Sequence, residues 1–403
     1  MPEESRSQSL SGPPGWIWLL ALFTFGGFVE TVFYGQLGAF TPLYLPHLGI
    51  ARQEVSRWTG IIAATTGLLG IPFLPFWGAL ADRFSRKPVI LRSFVVEMVS
   101  AAIIFLANGI GSFMLGRTLS SLSLGNSGLM LTTLSERAPA RRQGLAFSIM
   151  NSAGPVGVFV GPLIGGPIVD RWGFPVLLAI DAGLLALVVI SLSFGYRDHF
   201  VGKSRGSVLR MAGDSVQILL RSRGLRAIFP ALFMLFSGWM MAMTYAPLAI
   251  QQISPGWNPA TIVGIILGGG GLTAMLVSPA MGALADRHGY WRVLFIGAAV
   301  EVLLWPIPAL VHGLLPFGIA WALINAVGSG VFALSFILVS QAAEDDVRGR
   351  VMAFAYLPTN TGLFLGPAIG SILTQHSVFT VFPAASVLTA VGIALLALAY
   401  RRR

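Results

Sequence analysis

The chain has 403 residues, of which 55% are hydrophobic and only 10% charged, with a formal net charge of +10 and no cysteine. Soluble domains carry about 25% charged residues, so this composition excludes one, and the missing cysteines exclude disulfides and thiolate metal sites. The basic balance needs no nucleic acid, because anionic lipid on the inner leaflet is partner enough.

Residues 1–15 are polar and proline-containing, without the basic start and cleavage site of a signal peptide, so the first apolar run is expected to stay in place. Apolar runs of twenty or more residues follow, long enough to cross a bilayer of about 30 Å as helix. They lack the period-2 alternation of a membrane barrel, which leaves helix as the way to satisfy the backbone in hydrocarbon. Six spans are predicted first, at 16–43, 55–80, 88–108, 111–135, 142–169 and 174–196. Glu30 lies in the first, Glu97 in the third and Asp181 in the sixth. Arg117 opens the fourth, in LGRTLSSLSLGNSG. Acids inside a span are expensive, about 2.5–3.5 kcal/mol on insertion scales, so each needs a reason.

A polar interruption at 197–225 divides the chain into a first unit (1–196), a linker with an expected surface helix near Val208–Leu220, and a second unit (226–403). Six more spans are predicted at 226–250, 259–284, 290–311, 314–340, 348–374 and 378–400. The second unit repeats the first. GALADR occurs at 78–83 and 282–287, Glu97 matches Glu301, and GVFVGPLIGG (157–166) matches GLFLGPAIGS (362–371). A duplicated six-span unit explains all three matches and places a substrate site between the halves near the midplane. All 26 Lys and Arg except Arg52, Arg57, Arg117 and Arg171 fall on one side if the N-terminus is inside. The expected protein is therefore a multi-pass protein of the cell membrane with both termini cytoplasmic.

These motifs resemble the major facilitator superfamily along the whole chain. The resemblance implies an all-α membrane fold of twelve transmembrane helices, in two six-helix bundles related by pseudo-two-fold symmetry. GALADRFSRK (78–87) is similar to the family's loop between spans 2 and 3, with Ser85 in place of a glycine. Its implied role is a conformational latch, carried to Gly78, Asp82, Arg83 and Arg86, with Asp286 and Arg287 in the second copy; a loop that only anchors topology is the alternative. GVFVGPLIGG resembles the family's antiporter motif through Gly157, Gly161, Pro162, Gly165 and Gly166, with Ser148 where an upstream glycine is usual. That implies export, although glycine faces also serve simple helix packing.

In the family, spans 1, 4, 7 and 10 line the cavity and spans 3, 6, 9 and 12 lie outside. Glu30 is thereby the expected proton carrier, since burial disfavours a charged carboxyl; a permanent salt bridge is the alternative. Arg117 matches the arginine of the superfamily's drug exporters in part, with Ser120 and Ser121 replacing the usual pair. It is expected to hold Glu30 ionised or to contact an anionic substrate, unless it snorkels outward. Glu97 and Glu301 are expected to make structural contacts, to Arg92 or to Arg292. The expected cavity wall is amphiphilic: Phe33, Tyr34, Gln36, Asn126, Phe236, Trp239, Met240, Met243, Tyr245 and Asn325. A lipid-facing stripe is its alternative.

The implied function is proton-coupled efflux of small hydrophobic or amphiphilic molecules by a monomer, with the proton gradient in place of any cofactor. A lipid or glycolipid flippase of the same fold and a non-transporting receptor are the other readings. Scattered histidines and the lack of a Gly-x-x-x-x-Gly-Lys sequence speak against an enzyme, a metal site or direct ATP use.

Overall fold

The computed structural model describes residues 15–70, 73–198, 223–254, 256, 258–342 and 357–401. The first crossing is α1 (Gly15–Tyr44) and the second is α2 (Val55–Gly70) followed by α3 (Leu74–Arg83). The third is α4 (Arg86–Phe105), and the fourth is α5 (Ile110–Ser120) with α6 (Asn126–Arg137). α7 (Gln143–Trp172) and α8 (Phe174–Gly195) complete the first half. The second half contains α9 (Arg223–Ile253), α10 (Pro259–His288), α11 (Tyr290–Leu304), the short α12 (Ile307–Leu310), α13 (Leu314–Ala342), α14 (Leu357–Leu373) and α15 (Val381–Arg401).

Among the described residues, nine helical segments are long and apolar enough to cross a membrane. The second and fourth crossings escape that count because each is two shorter helices, and the eleventh because it is described only from Leu357. Most of the expected linker, with its surface helix near 208–220, lies outside the described residues. Phe194, Leu303 and Leu315 are largely exposed on their helices. A soluble protein would hide so large an apolar surface, whereas lipid covers it here.

Helices pack first within each half. α1 lies against α7 and α8, and α4 against α5 and α8; likewise α9 lies against α14 and α15, and α10 against α13. Hydrocarbon provides no hydrophobic drive for this, so close backbone approach must do it. A Cβ on Gly35 would stand 2.5 Å from the Val158 carbonyl oxygen, and one on Gly161 would stand 2.7 Å from that of Val32. α1 and α7 therefore touch through their backbones.

The halves meet along two seams, α7 with α10 and α2 with α14. Both seams are tight at one end of the molecule. A Cβ on Gly166 would stand 2.6 Å from the Ala260 carbonyl oxygen, and Gly60 on α2 makes room for Tyr245 and for Pro367 and Ser371 of α14. Towards the other end, Gly154 on α7 and Gly282 on α10 have no atom within 4 Å of where a Cβ would stand. Among the described residues the bundle is locked at the Asp170 end, whereas at the end carrying Arg83 and Arg287, the parted end, α3 and α6 pack chiefly on helices of their own half.

Candidate functional site

The fourth crossing breaks where its sequence is richest in serine. Ser120 and Ser121 turn their hydroxyls back to the carbonyls of Arg117 (2.7 Å) and Thr118 (2.6 Å), competing with the helix. A 3₁₀ turn at Ser121–Ser123 follows, and then Gly125 adopts φ +103°, a left-handed conformation that glycine takes without a Cβ clash. Freed carbonyls inside a membrane need new donors. The Tyr34 hydroxyl of α1 donates to Ser120 O (2.9 Å), while Arg92 Nη2 of α4 donates to Ser123 O (3.2 Å) and Leu124 O (3.1 Å). The Arg92 guanidinium also stacks 3.5 Å from the Trp77 ring centroid.

Asn126 restarts the helix after the break and faces Glu30. Its Nδ2 donates to Glu30 Oε2 (2.9 Å), and its Oδ1 accepts from the Ser127 backbone N–H (2.7 Å). Both Glu30 and Asn126 are buried. Glu97, on α4, is enclosed beside them, with Glu30 and Ser123 as its neighbours. Glu30 and Glu97, with Asp181 of α8, thus share the interior of the first half with the guanidinium groups of Arg92 and Arg117.

Several expected contacts are different in the structure. Glu30 takes its hydrogen bond from Asn126, not from Arg117, whose Nε and Nη1 have no partner. Arg117 lies instead near the Tyr34 phenol. Arg92 spends its Nη2 on Ser93 and on the carbonyls of the break rather than on an ion pair with Glu97. Glu301 does not reach Arg292, which is exposed; its Oε1 would lie 2.7 Å from a Cβ on Gly328 of α13, beside the Trp239 indole. Each difference has one cause. Helical spacing names neighbours along one helix, and these partners come from others. The break's role in gathering acids was missed, although the run Ser120-Ser121-Leu122-Ser123-Leu124-Gly125 signalled it.

The expected cavity wall divides in two. Tyr34, Trp239, Met240 and Met243 are partly exposed. Phe33, Gln36, Asn126, Phe236, Tyr245 and Asn325 are buried, and most have packing or hydrogen-bond duties. Gln36 Nε2 donates to Gly161 O (3.2 Å), Asn325 Nδ2 to Trp321 O (2.8 Å), and the Tyr245 hydroxyl to Pro367 O (3.0 Å) at the locked end. A helix apolar all round does not reveal which face meets the cavity.

The glycine motif of α7 has two jobs. Gly157, Gly161 and Gly165 seat α1, whereas Gly166 seats α10 of the other half, and Pro162 lies against Gly264. In α14 the matching Gly362, Gly366 and Gly370 seat α9 in the same way. Close to Gly166, Asp170 reaches across the seam. Its carboxylate accepts from the backbone N–H of Ala260 (3.1 Å) and from the N–H (2.7 Å) and hydroxyl (2.6 Å) of Thr261. It thereby caps the N-terminus of α10, where a negative charge is favoured. Sequence reading passed over Asp170 because the helix it caps is 89 positions away (Asp170 to Pro259).

The side chains of Gly78 and Asp82 lie outside the described residues. Arg83 stands over the Phe84 ring, 5.2 Å from its centroid. Arg86 makes a two-pronged bond to Glu136 (2.6 and 2.8 Å), and its positive charge holds the Glu136 carboxyl below its usual range. Asp198 caps α4, accepting from the Ser85 hydroxyl (2.7 Å) and the Arg86 N–H (2.8 Å). Asp286 accepts from Tyr290 (2.6 Å), four residues along, and Arg287 is exposed. The described contacts of this cluster stay within their own halves.

Two helical halves that lock at one end and part at the other, around buried charges, define a membrane transporter and not an enzyme. The chain belongs to the Major Facilitator Superfamily, whose family model matches residues 22–299 and again 228–403. It is 27% identical over 391 residues to the multidrug resistance protein MdtG of Rahnella sp. (strain Y9602), covering 95% of this chain and 93% of that protein. To the MdtG of Klebsiella pneumoniae (strain 342) it is 25% identical over 373 residues, covering 91% and 90%. Among solved structures, the peptide transporter PepTSo superposes with a TM-score of 0.77 at 15% identity, covering 97% of this chain and 99% of that one. The nucleoside transporter NupG does so at 0.75 and 15%, covering 94% and 98%. At such identities these structures speak for the fold alone.

Proposed function

We propose that this transporter exports small hydrophobic or amphiphilic molecules in exchange for protons, acting as a monomer in the cell membrane with both termini in the cytoplasm. The observation that carries the proposal is Glu30, buried and held by a neutral amide, Asn126, at the broken fourth crossing. Burial disfavours the charged carboxyl, and with no cation paired to Glu30 no ion pair has to break when it takes up a proton. The multidrug resistance relatives support drug-like cargo, and so do the partly exposed Trp239, Met240 and Met243, a cation-attracting and adaptable surface. In this reading the parted end is cytoplasmic, so the structure is the inward-facing form. Export then requires the Asp170 end to open while the Arg83 and Arg287 end closes.

The test is movement of ethidium in proteoliposomes under an imposed pH gradient. Glu30→Gln is expected to lower gradient-driven movement by at least about tenfold, as loss of a group acting at the coupling step should, and to spare downhill exchange. Wild-type gradient-driven rates in Glu30→Gln would reject the coupling. A lipid flippase is the second reading, favoured by an apolar groove of about 520 Å³ between α1 and α7, lined by Leu20, Phe25, Phe28 and Ile149. Translocation of a labelled lipid without ethidium movement would select it.

A further inference from the structure

Glu97, like Asp181 and Glu301, is a buried acid that the proposed mechanism leaves unused, and it alone of the three stands beside Glu30. It is wholly enclosed, and neither of its carboxylate oxygens has a donor. Around it stand Glu30 and Tyr34 of α1, Ser123 of the break and Arg92 of its own helix. The other helices packed on α4 bring Arg117 from α5 and Asp181 from α8 as their buried titratable groups. Glu30 and Glu97 are neighbours across the contact of α1 with α4: one turn before Glu30, Gly26 lies against the Phe94 ring, and one turn after it Tyr34 shares a hydrogen bond with Ser123, whose carbonyl Arg92 holds.

Two ionised carboxylates offer only acceptors, so together they make no bond and repel. One proton changes both facts: the protonated carboxyl donates to its neighbour, and a single negative charge remains. The Ser123 hydroxyl is 2.7 Å from that of Tyr34, whose own proton goes to Ser120 O, so Ser123 donates to Tyr34 and leaves Glu97 without a donor. Asn126 meanwhile ties Glu30 to the start of α6, so the charge of the pair acts directly on the break.

We infer that Glu30 and Glu97 hold one proton between them, making Glu97 a second proton-binding residue rather than a structural acid. The inference rests on Glu30 as the proton carrier and gives that proton a second seat in the same half. The proton taken up from water on one side is the one returned to water on the other, so no further reactant is needed.

Infrared difference spectroscopy of the full chain in lipid tests this without any substrate, on wild type, Glu30→Gln, Glu97→Gln and the double variant. The expected result is that both single variants alter the same protonated-carboxyl band and that the double variant changes it no further. Two separate bands, each removed by one substitution and summing in the double variant, would overturn the shared proton. If Glu97→Gln does not assemble, Glu97→Asp serves: a shared proton displaces the band in Glu97→Asp and Glu30→Gln alike, and a band indifferent to Glu97→Asp refutes the pair. Ethidium movement under a pH gradient separates this from the parent reading. Glu97→Gln is expected to lose gradient-driven movement by at least about tenfold while keeping downhill exchange, and Glu97→Asp to recover part of it. Should Glu30→Gln alone keep its gradient drive while the band remains shared, the coupling role of Glu30 fails and the proton pair stands.

Discussion

Glu136 and Arg86 show how a single ion pair at the parted end depends on pH. Arg86 is nearly buried, while Glu136 is about half exposed, with side-chain exposures of 5% and 52%. Solvent screens such a pair, so its worth is roughly 0.2–1 kcal/mol. The Arg86 guanidinium holds the Glu136 carboxyl below the usual carboxylate range. A depressed acid stabilises the fold above its unfolded pKa and loses that contribution as pH falls through the lower folded value. The Tm difference between wild type and Glu136→Gln in detergent should therefore be full at neutral pH and should shrink only below about pH 4.5. A difference that grows on acidification would contradict the assigned sign.

At the scale of elements, the α7–α10 seam is where sequence and packing join most directly. Gly166 permits backbone contact with Ala260, and Asp170 then reaches the first N–H groups of α10. Asp170→Asn keeps an acceptor but loses the charge that suits a helix N-terminus, a change of about 0.3–1 kcal/mol. Gly166→Val adds side-chain atoms where the opposing atom is backbone and cannot swing aside, so about 1–3 kcal/mol is expected. Both should shift the balance away from the form locked at the Asp170 end, with Gly166→Val shifting it further. Spin-label distances between the Asp170 end of α7 and the start of α10 measure this; unchanged distance distributions in both variants would refute the lock. The fourth crossing teaches the complementary lesson. Its serines and Gly125 were visible as residues, yet their consequence, a gap in the backbone filled by Tyr34 and Arg92, depends on two other helices.

For the whole molecule, the internal repeat predicts more than it first shows. The glycine triads of α7 and α14 do the same work in each half, yet Gly166 corresponds to Ser371, and across that seam it is Gly60 of α2 that makes room. Asp170 corresponds, by the same shift of 205, to Gln375, an uncharged and exposed residue. The two seams are thus alike in packing and unlike in charge, so a single carboxylate fastens one of them. Orientation is also a property of the whole chain. The placement of Lys and Arg predicts that reporters fused to both termini lie in the cytoplasm, and a signal from the opposite side of the membrane at either end would invert the assignment of the parted end.

The sequence by itself determined that this is a helical membrane protein of twelve crossings, built from a doubled unit and belonging to a transporter superfamily. Composition, run length and repeated motifs are properties of the chain in order, and hydrocarbon leaves the backbone few choices. Glu30 was legible as well, because a charge inside a span stands out against its neighbours. Tertiary structure alone decided that Asn126 and not Arg117 holds Glu30, that Glu97 stands beside it, and that Asp170 crosses to the other half. These partners lie tens of positions apart or more and meet only when helices pack, and packing in lipid depends on small-residue contacts that leave no periodic trace in a sequence apolar on every face.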